Sequence, residues 1–395
     1  MSEFRPTDEQ QLIDVVAAAL TQEEPMELVG GGSKRRLGRP LQLPHTLDLS
    51  AFAGITAYEP EELVLTAGAA TRLEEIEKAL GEKAQMLAFE PPDWRALLAS
   101  NAPQTVGGVL AGNLAGPRRI RQGAARDHFL GFHAVSGRGE AFKAGGRVVK
   151  NVTGYDLPKL LAGSWGTLAA FTEVTVKVLP RPAATRTLRL AKLSDEAALR
   201  ALTQALNSPH EVSGAAHLPA SVAPSQTAET ILRLEGPVPS VEARAAALAA
   251  ELGEFGTSEI LRDGPSQALW QDVRDVTPFV RLDDRVVWRL SVPPSAAAAL
   301  AGALSRALDL RHFYDWGGGL LWLAVAGASD GGAAAIRAAL AGNGHATLIR
   351  AADPLRATCE VFQPLEPALA ALAARVKNSF DPRRIFNRGR MYRDL

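Results

Sequence analysis

APQTVGGVLAGNLAGPRRIRQG, residues 102–123, decides the reading of this chain. Gly107, Gly108, Ala111, Gly112, Ala115 and Gly116 leave its main chain nearly bare. Bare backbone presents N–H donors unobstructed, and glycine reaches the turns that aim several of them at one point. Such a surface suits a pyrophosphate. A second small-residue cluster, Gly30-Gly31-Gly32-Ser33, follows a short apolar run nearer the N-terminus. Two loops of this kind imply one long, diphosphate-bearing cofactor clamped from both sides. Neither is the strand–GxGxxG–helix fingerprint of nicotinamide enzymes, because Arg35 stands where a third glycine belongs, and no Walker A sequence is present.

The bulk composition narrows the classes further. A length of 395 residues allows two or three packed units. Lys+Arg and Asp+Glu are 43 each, so the basic surplus of a nucleic-acid binder is missing. An apolar share of 47% argues against disorder. Cys359 is the single cysteine, which excludes an intrachain disulfide and a self-ligated iron–sulfur cluster. The N-terminal MSEFRPTDEQ has no apolar signal core, and the run Gly317–Ala328 is too short to span a bilayer. A reducing, cytoplasmic setting is expected, with any membrane contact made at the inner face through a partner.

Along the chain, Thr7 and Gln10 read as a capping box opening a helix through Leu12, Val15, Val16 and Ala19. Met26–Val29 reads as a strand entering the first loop. Strands follow at Leu47–Leu49, Gly54–Tyr58 and Leu63–Ala67, then a helix capped by Thr71 with Glu74, and a strand at Met86–Phe89. The order lacks the regular alternation of a doubly wound sheet. A strand-rich reach covers Phe129–Val149, and Leu168–Val178 alternates as a strand. Pro180 and Pro182 mark a boundary. Residues 184–350 read as a separate α+β unit of strands and alanine-rich helices, a helix-covered antiparallel sheet. No internal repeat is apparent.

A third piece joins the two loops. Residues 149–180 read VKNVTGYDLPKLLAGSWGTLAAFTEVTVKVLP, and residues 380–392 read FDPRRIFNRGRMY. Together these strings resemble the FAD-binding domain of the vanillyl-alcohol oxidase superfamily, also called PCMH-type. Within it the chain is similar to the family of FAD-binding E subunits of bacterial glycolate oxidase (glycolate dehydrogenase) complexes. The likeness covers residues 1–180 and the C-terminal twenty or so, while WRLSVP and FYDWGGGLLWL match in the middle. It implies an α+β fold: a two-subdomain PCMH-type FAD-binding domain (1–183), a smaller ferredoxin-like α+β cap (184–350), and a C-terminal segment (351–395) returning to the first.

The same resemblance assigns site residues. Gly30, Gly31, Gly32 and Ser33 would donate to the FAD pyrophosphate. Pro103, Thr105, Val106, Gly107, Gly108 and Ala111 would wall the diphosphate and run under the ring, with Arg126 and Asp127 following. Gly166, Thr167 and Phe171 would line the adenine or ring side, and Asn387 would close over the flavin. Attachment would be non-covalent, since Ser33 stands where tethering members place a histidine. The histidine-rich metal string of catalytic 2-hydroxy-acid members is missing; His210 and His217 stand apart, His312 and His345 are single, and no metal is expected. Tyr155, Asp156, Arg289 and Trp316 remain as candidates for polar groups facing the flavin. The basic runs Lys34-Arg35-Arg36 and Arg118–Arg121 read equally as solvated loops or as grips on a phosphate or partner.

The implied function is that of a flavin subunit oxidising glycolate to glyoxylate beside a related flavoprotein subunit and an iron–sulfur subunit, with electrons going on to quinone. A stand-alone 2-hydroxy-acid dehydrogenase and a non-catalytic assembly subunit are the alternatives.

Overall fold

The computed structural model describes residues 2–146 and 154–393. The stretch Arg147–Thr153, which includes the start of the VKNVTG string and the end of the Phe129–Val149 reach, lies outside the described residues. None of the described helices is long and apolar enough to cross a membrane.

A small parallel sheet opens the chain. Ser2–Phe4 and Met26–Val29 flank His45–Asp48. The helix Glu9–Gln22 lays Leu12, Val16 and Ala19 on this sheet beside Met26 and Leu47. Its cap is Asp8, whose carboxylate accepts the Gln11 N–H at 2.9 Å; Thr7 instead donates its hydroxyl to the Gln11 side chain at 3.1 Å. The expected capping box is therefore displaced by one residue. The Thr71 box fails for another reason. Its hydroxyl donates to the Gly68 carbonyl at 2.6 Å and accepts from the Gly54 N–H at 2.9 Å, so the helix Leu73–Glu82 starts without a side-chain cap.

Five antiparallel strands form the second sheet, in the order Ile55–Glu59, Val64–Gly68, Ala169–Lys177, Phe129–Ser136, Ala141–Gly145. Phe129, Phe132, Phe171 and Val174 bury its inner face. The strand expected at Met86–Phe89 is only Gln85–Met86, pairing with Leu179–Pro180.

The C-terminal segment returns to the first sheet. Phe386 bridges Met26 in parallel. The preceding helix Pro367–Phe380 buries Lys377, whose ammonium donates to the Asp381 carboxylate at 2.7 Å and to the Thr167 carbonyl at 2.6 Å. Asp381 also accepts the N–H groups of Ile385 and Phe386. This buried, fully bonded pair fixes where the tail lies.

The remaining sheet has eight antiparallel strands and overturns the expectation of no repeat. Ala184–Ala191, Gly214–Leu218, Glu229–Gly236 and Ser258–Arg262, with helices Asp195–Asn207 and Val238–Glu251, make one strand–helix–strand–strand–helix–strand unit. Val286–Ser291, Leu310–Asp315, Leu320–Val325 and His345–Arg350, with helices Ala297–Ala307 and Ala333–Leu340, make a second. Each half has the strand order fourth, first, third, second, the ferredoxin-like arrangement. The halves meet edge to edge at the pair His217–Tyr314. The repeat is one of topology and leaves no matched string of residues to read.

Alternation along these strands separates two faces. Trp288, Leu290, Leu321 and Leu323 pack under the helices. Val287, Phe313, Leu320 and Trp322 belong to the core shared with the flavin-side sheet, where Trp322 meets Trp94 edge-on at 5.5 Å.

Candidate functional site

The two small-residue loops face each other across one cleft. Gly30 to Arg35 form one wall, Thr105, Gly107, Gly108, Ala111 and Gly112 the other, and Trp165, Gly166, Phe171 and Asn387 close it. The loops touch. A Cβ on Gly31 would lie 2.0 Å from the Pro103 carbonyl oxygen, and one on Gly107 would lie 2.7 Å from that of Ala69. Only glycine permits these approaches.

The donors divide unevenly between the loops. Among the described residues, no acceptor takes the backbone N–H groups of Gly30, Gly31, Gly32 and Ser33. In the second loop Val106 donates to the Thr71 carbonyl at 3.0 Å, Gly107 to that of Ala69 at 2.8 Å, and Gly108 weakly to the Thr105 hydroxyl at 3.3 Å. The first loop thus supplies free donors and the second a bare floor. Buried polar groups are otherwise satisfied, so a run of free N–H groups in a cleft fits an anionic ligand. The phosphates of FAD fit this cradle.

One cation stands among them. Lys34 donates to Gln104 at 3.0 Å and Ser33 at 3.3 Å, with no carboxylate in bonding range. Burial pushes its ammonium down to about 8. The neighbouring cations are engaged: Arg35 and Arg390 both pair with the buried Glu27, and Arg36 donates to the Leu98 carbonyl at 3.0 Å. Arg390 also donates to the carbonyls of Arg35 and Leu37, which pins the first loop to the C-terminal segment. Lys34, Trp165 and Arg390 were not singled out individually from sequence, and Gly112 was read only as bare backbone. The only signals were the basic run and the repeated small residues.

Other expected site residues fall differently. Pro103 lines the outer continuation of the cleft with Arg72. Val106 and Thr167 are buried behind it, Thr167 bonding Ser164 at 2.6 Å. Asn387 lines the cleft, but its side chain is occupied: Oδ1 accepts the Leu28 N–H at 2.9 Å and Nδ2 donates to the Trp165 carbonyl at 2.8 Å. It rivets two walls together. Arg126 and Asp127 lie off the cleft on the turn Ala125–His128, where Asp127 accepts the Ala124 N–H at 2.8 Å.

Tyr155 and Asp156 are not brought to the cleft. Tyr155 is 90% exposed. Asp156 caps the helix Leu157–Leu161 and pairs with Lys159 at 2.9 Å, a local role that explains its place in the string. His312, expected to be single, shares the Asp195 carboxylate with His217, at 2.7 and 3.3 Å. The run Arg118–Arg121 faces the chain's own eight-stranded sheet. Arg118 pairs with Glu90 and Glu235, and Arg121 with Glu211. Trp316 donates from its indole nitrogen to the Gly116 carbonyl at 3.1 Å, and Arg289 lies over its ring.

Comparison with known proteins gives this geometry a context. Residues 3–145 match the FAD binding domain family. The chain is 36% identical over 391 residues to glycolate oxidase subunit GlcE of Escherichia coli, covering 98% of each chain. It is 28% identical over 221 residues to glycolate oxidase subunit GlcD of Bacillus subtilis, covering 56% of this chain and 43% of that protein. Among solved structures, p-cresol methylhydroxylase with substrate bound shares the fold at a TM-score of 0.75 and 15% identity, covering 100% of this chain and 89% of that one.

Proposed function

The chain belongs to the family of glycolate oxidase subunit GlcE, and from that premise we propose that its flavin works within a glycolate-oxidising assembly rather than alone. The cofactor is FAD, held without a covalent link. When bound, FAD accepts two electrons from an oxidised C–H bond and passes them onward.

The residues of this chain do the holding. Gly30, Gly31, Gly32 and Ser33 offer the diphosphate four N–H groups that have no other partner among the described residues. Gly107 and Gly108 let the ligand lie against main chain. Trp165 and Phe171 supply apolar wall, and Asn387 keeps Leu28 and Trp165 at fixed separation. The observation that carries the reading is this four-donor loop in a chain similar from end to end to GlcE.

The reaction we assign is oxidation of the CH–OH group of glycolate to glyoxylate. With one cysteine this chain cannot ligate an iron–sulfur cluster. An iron–sulfur partner subunit is the exit we assign for electrons, leading to quinone, with a GlcD-like flavoprotein beside it. The test compares the chain alone with the chain plus a GlcD-type partner, following flavin absorbance on adding glycolate. The expected result is a yellow chain whose bands persist alone and bleach with the partner. Bleaching of the isolated chain would make it a self-sufficient dehydrogenase. A chain colourless after incubation with FAD would make it an assembly subunit.

A further inference from the structure

We propose that Arg119 and Arg289, both stacked on the indole of Trp316, form a binding site for a small carboxylate between the flavin-side wall and the eight-stranded sheet. The proposal deepens the reading above and rests on it, since it places a ligand of the glycolate class on this chain.

Two guanidinium groups converge on one ring. The Arg119 guanidinium carbon lies 4.3 Å from the Trp316 ring centroid and that of Arg289 lies 4.9 Å away. They arrive from opposite sides of the seam. Arg119 follows the bare wall Gly107–Gly116, while Arg289 belongs to the strand Val286–Ser291. Arg289 pairs in register with Trp322, on the sheet face turned toward the flavin side.

What separates these arginines from their neighbours is the lack of an acceptor. Arg118, Arg121 and Arg126 each pair with a carboxylate. Among the described residues, no hydrogen bond or ion pair joins the side chain of Arg119 or Arg289 to any acceptor. Burial, and then the like charge of Arg119, push the Arg289 guanidinium down to about 10. Asp315 shares this face and its charge partly offsets that of Arg289, but among the described residues no ion pair or hydrogen bond joins the two. Its carboxylate accepts the Trp316 N–H at 2.7 Å, and burial pushes it up to about 7.

The platform between the cations is fixed. Trp316 is held at φ 53°, a left-handed conformation unfavourable for a bulky residue, by the Asp315 bond and the bond to Gly116. Two guanidinium forks with no hydrogen-bond acceptor among the described residues stand on one rigid ring, and their like charges favour an anion beside them. A carboxylate matches the fork in a bidentate manner.

The test uses the full chain loaded with FAD and titrated with glycolate, read by calorimetry and tryptophan fluorescence, with inorganic phosphate as the competing probe. Glycolate is expected to bind saturably and better than phosphate. Arg119→Gln, on an exposed side chain, and Arg289→Gln are each expected to weaken it about tenfold or more at unchanged flavin content. Arg289→Lys, which keeps the charge and loses the fork, is expected to fall between. Wild-type affinity in either glutamine variant, tighter binding of phosphate, or no glycolate binding by the loaded chain would overturn the site. Flavin retained in those cases leaves the FAD assignment standing, whereas a chain that takes up no FAD overturns both.

Discussion

Gly31 has the least room of the glycines in the cleft. An added methyl would meet the Pro103 carbonyl at 2.0 Å, inside any tolerable contact, so Gly31→Ala has to push the two loops apart. The expected outcome is a folded chain that loses bound FAD, seen as missing visible absorbance with an unchanged circular dichroism spectrum. Lys34 gives a graded test. Its ammonium is pushed down to about 8 by burial, and a diphosphate favours the protonated form. FAD affinity is therefore expected to fall as pH rises from neutrality through about 8, as the free chain loses that proton. Lys34→Gln should bind FAD about tenfold more weakly and lose this pH dependence, measured by flavin fluorescence titration. At this scale the sequence shows where backbone is bare, because bareness is a property of residue type. It does not show which N–H groups are free. Val106 and Gly107 sit in the glycine-rich string, yet their donors pair with Thr71 and Ala69, a matter of tertiary placement. Lys34 was hidden for the same reason, in a run where Arg35 and Arg36 are the engaged residues.

Asp195 governs the joint between the two ferredoxin-like halves. It lies in the first helix of one half and accepts from His217 of the same half and from His312 and Tyr314 of the other. Burial alone would raise its pKa, but these bonds outweigh it and hold the carboxyl well below the usual carboxylate range. Its contribution to stability is thus present above the ordinary carboxylate pKa and lost as pH falls toward the folded value. Asp195→Asn is expected to cost about 1.5–3 kcal/mol at neutral pH, measured by denaturant unfolding. The difference from wild type should shrink in acid. The strands at 187–190, 230–235, 286–292 and 320–326 and the four helices of the two halves are readable from alternation and helical spacing, whereas the helix Asp263–Arg274 is not. The strands Gly214–Leu218, Ser258–Arg262, Leu310–Asp315 and His345–Arg350 are not. Without those four strands the duplication cannot be recognised.

The whole molecule is held together by charge as well as by apolar surface. Glu90, from the turn before the second small-residue loop, receives both terminal nitrogens of Arg233 at 2.8 and 2.9 Å and pairs with Arg118 at 2.9 Å. Arg118 also pairs with Glu235. Burial would raise the Glu90 carboxyl, but the two arginines hold it down. Removing one member of such a buried network leaves an unpaired charge at the seam, which costs about 3–5 kcal/mol. Glu90→Gln is expected to lower the unfolding midpoint and to speed hydrogen exchange along Glu229–Gly236, the strand that carries Arg233. A sequence gives no sign that Glu90 and Arg233 meet, since the pairing joins residues 143 apart and involves ordinary surface-type residues. The central claim is nevertheless local: the cleft between Gly30–Ser33 and Gly107–Gly108 holds FAD without a covalent link. The most direct measurement is to purify the chain, saturate it with FAD, remove excess, precipitate with acid and quantify flavin in both fractions. The account predicts one FAD per chain, all of it released to the supernatant. Flavin that stays with the precipitate, or a chain that retains none before precipitation, would contradict it.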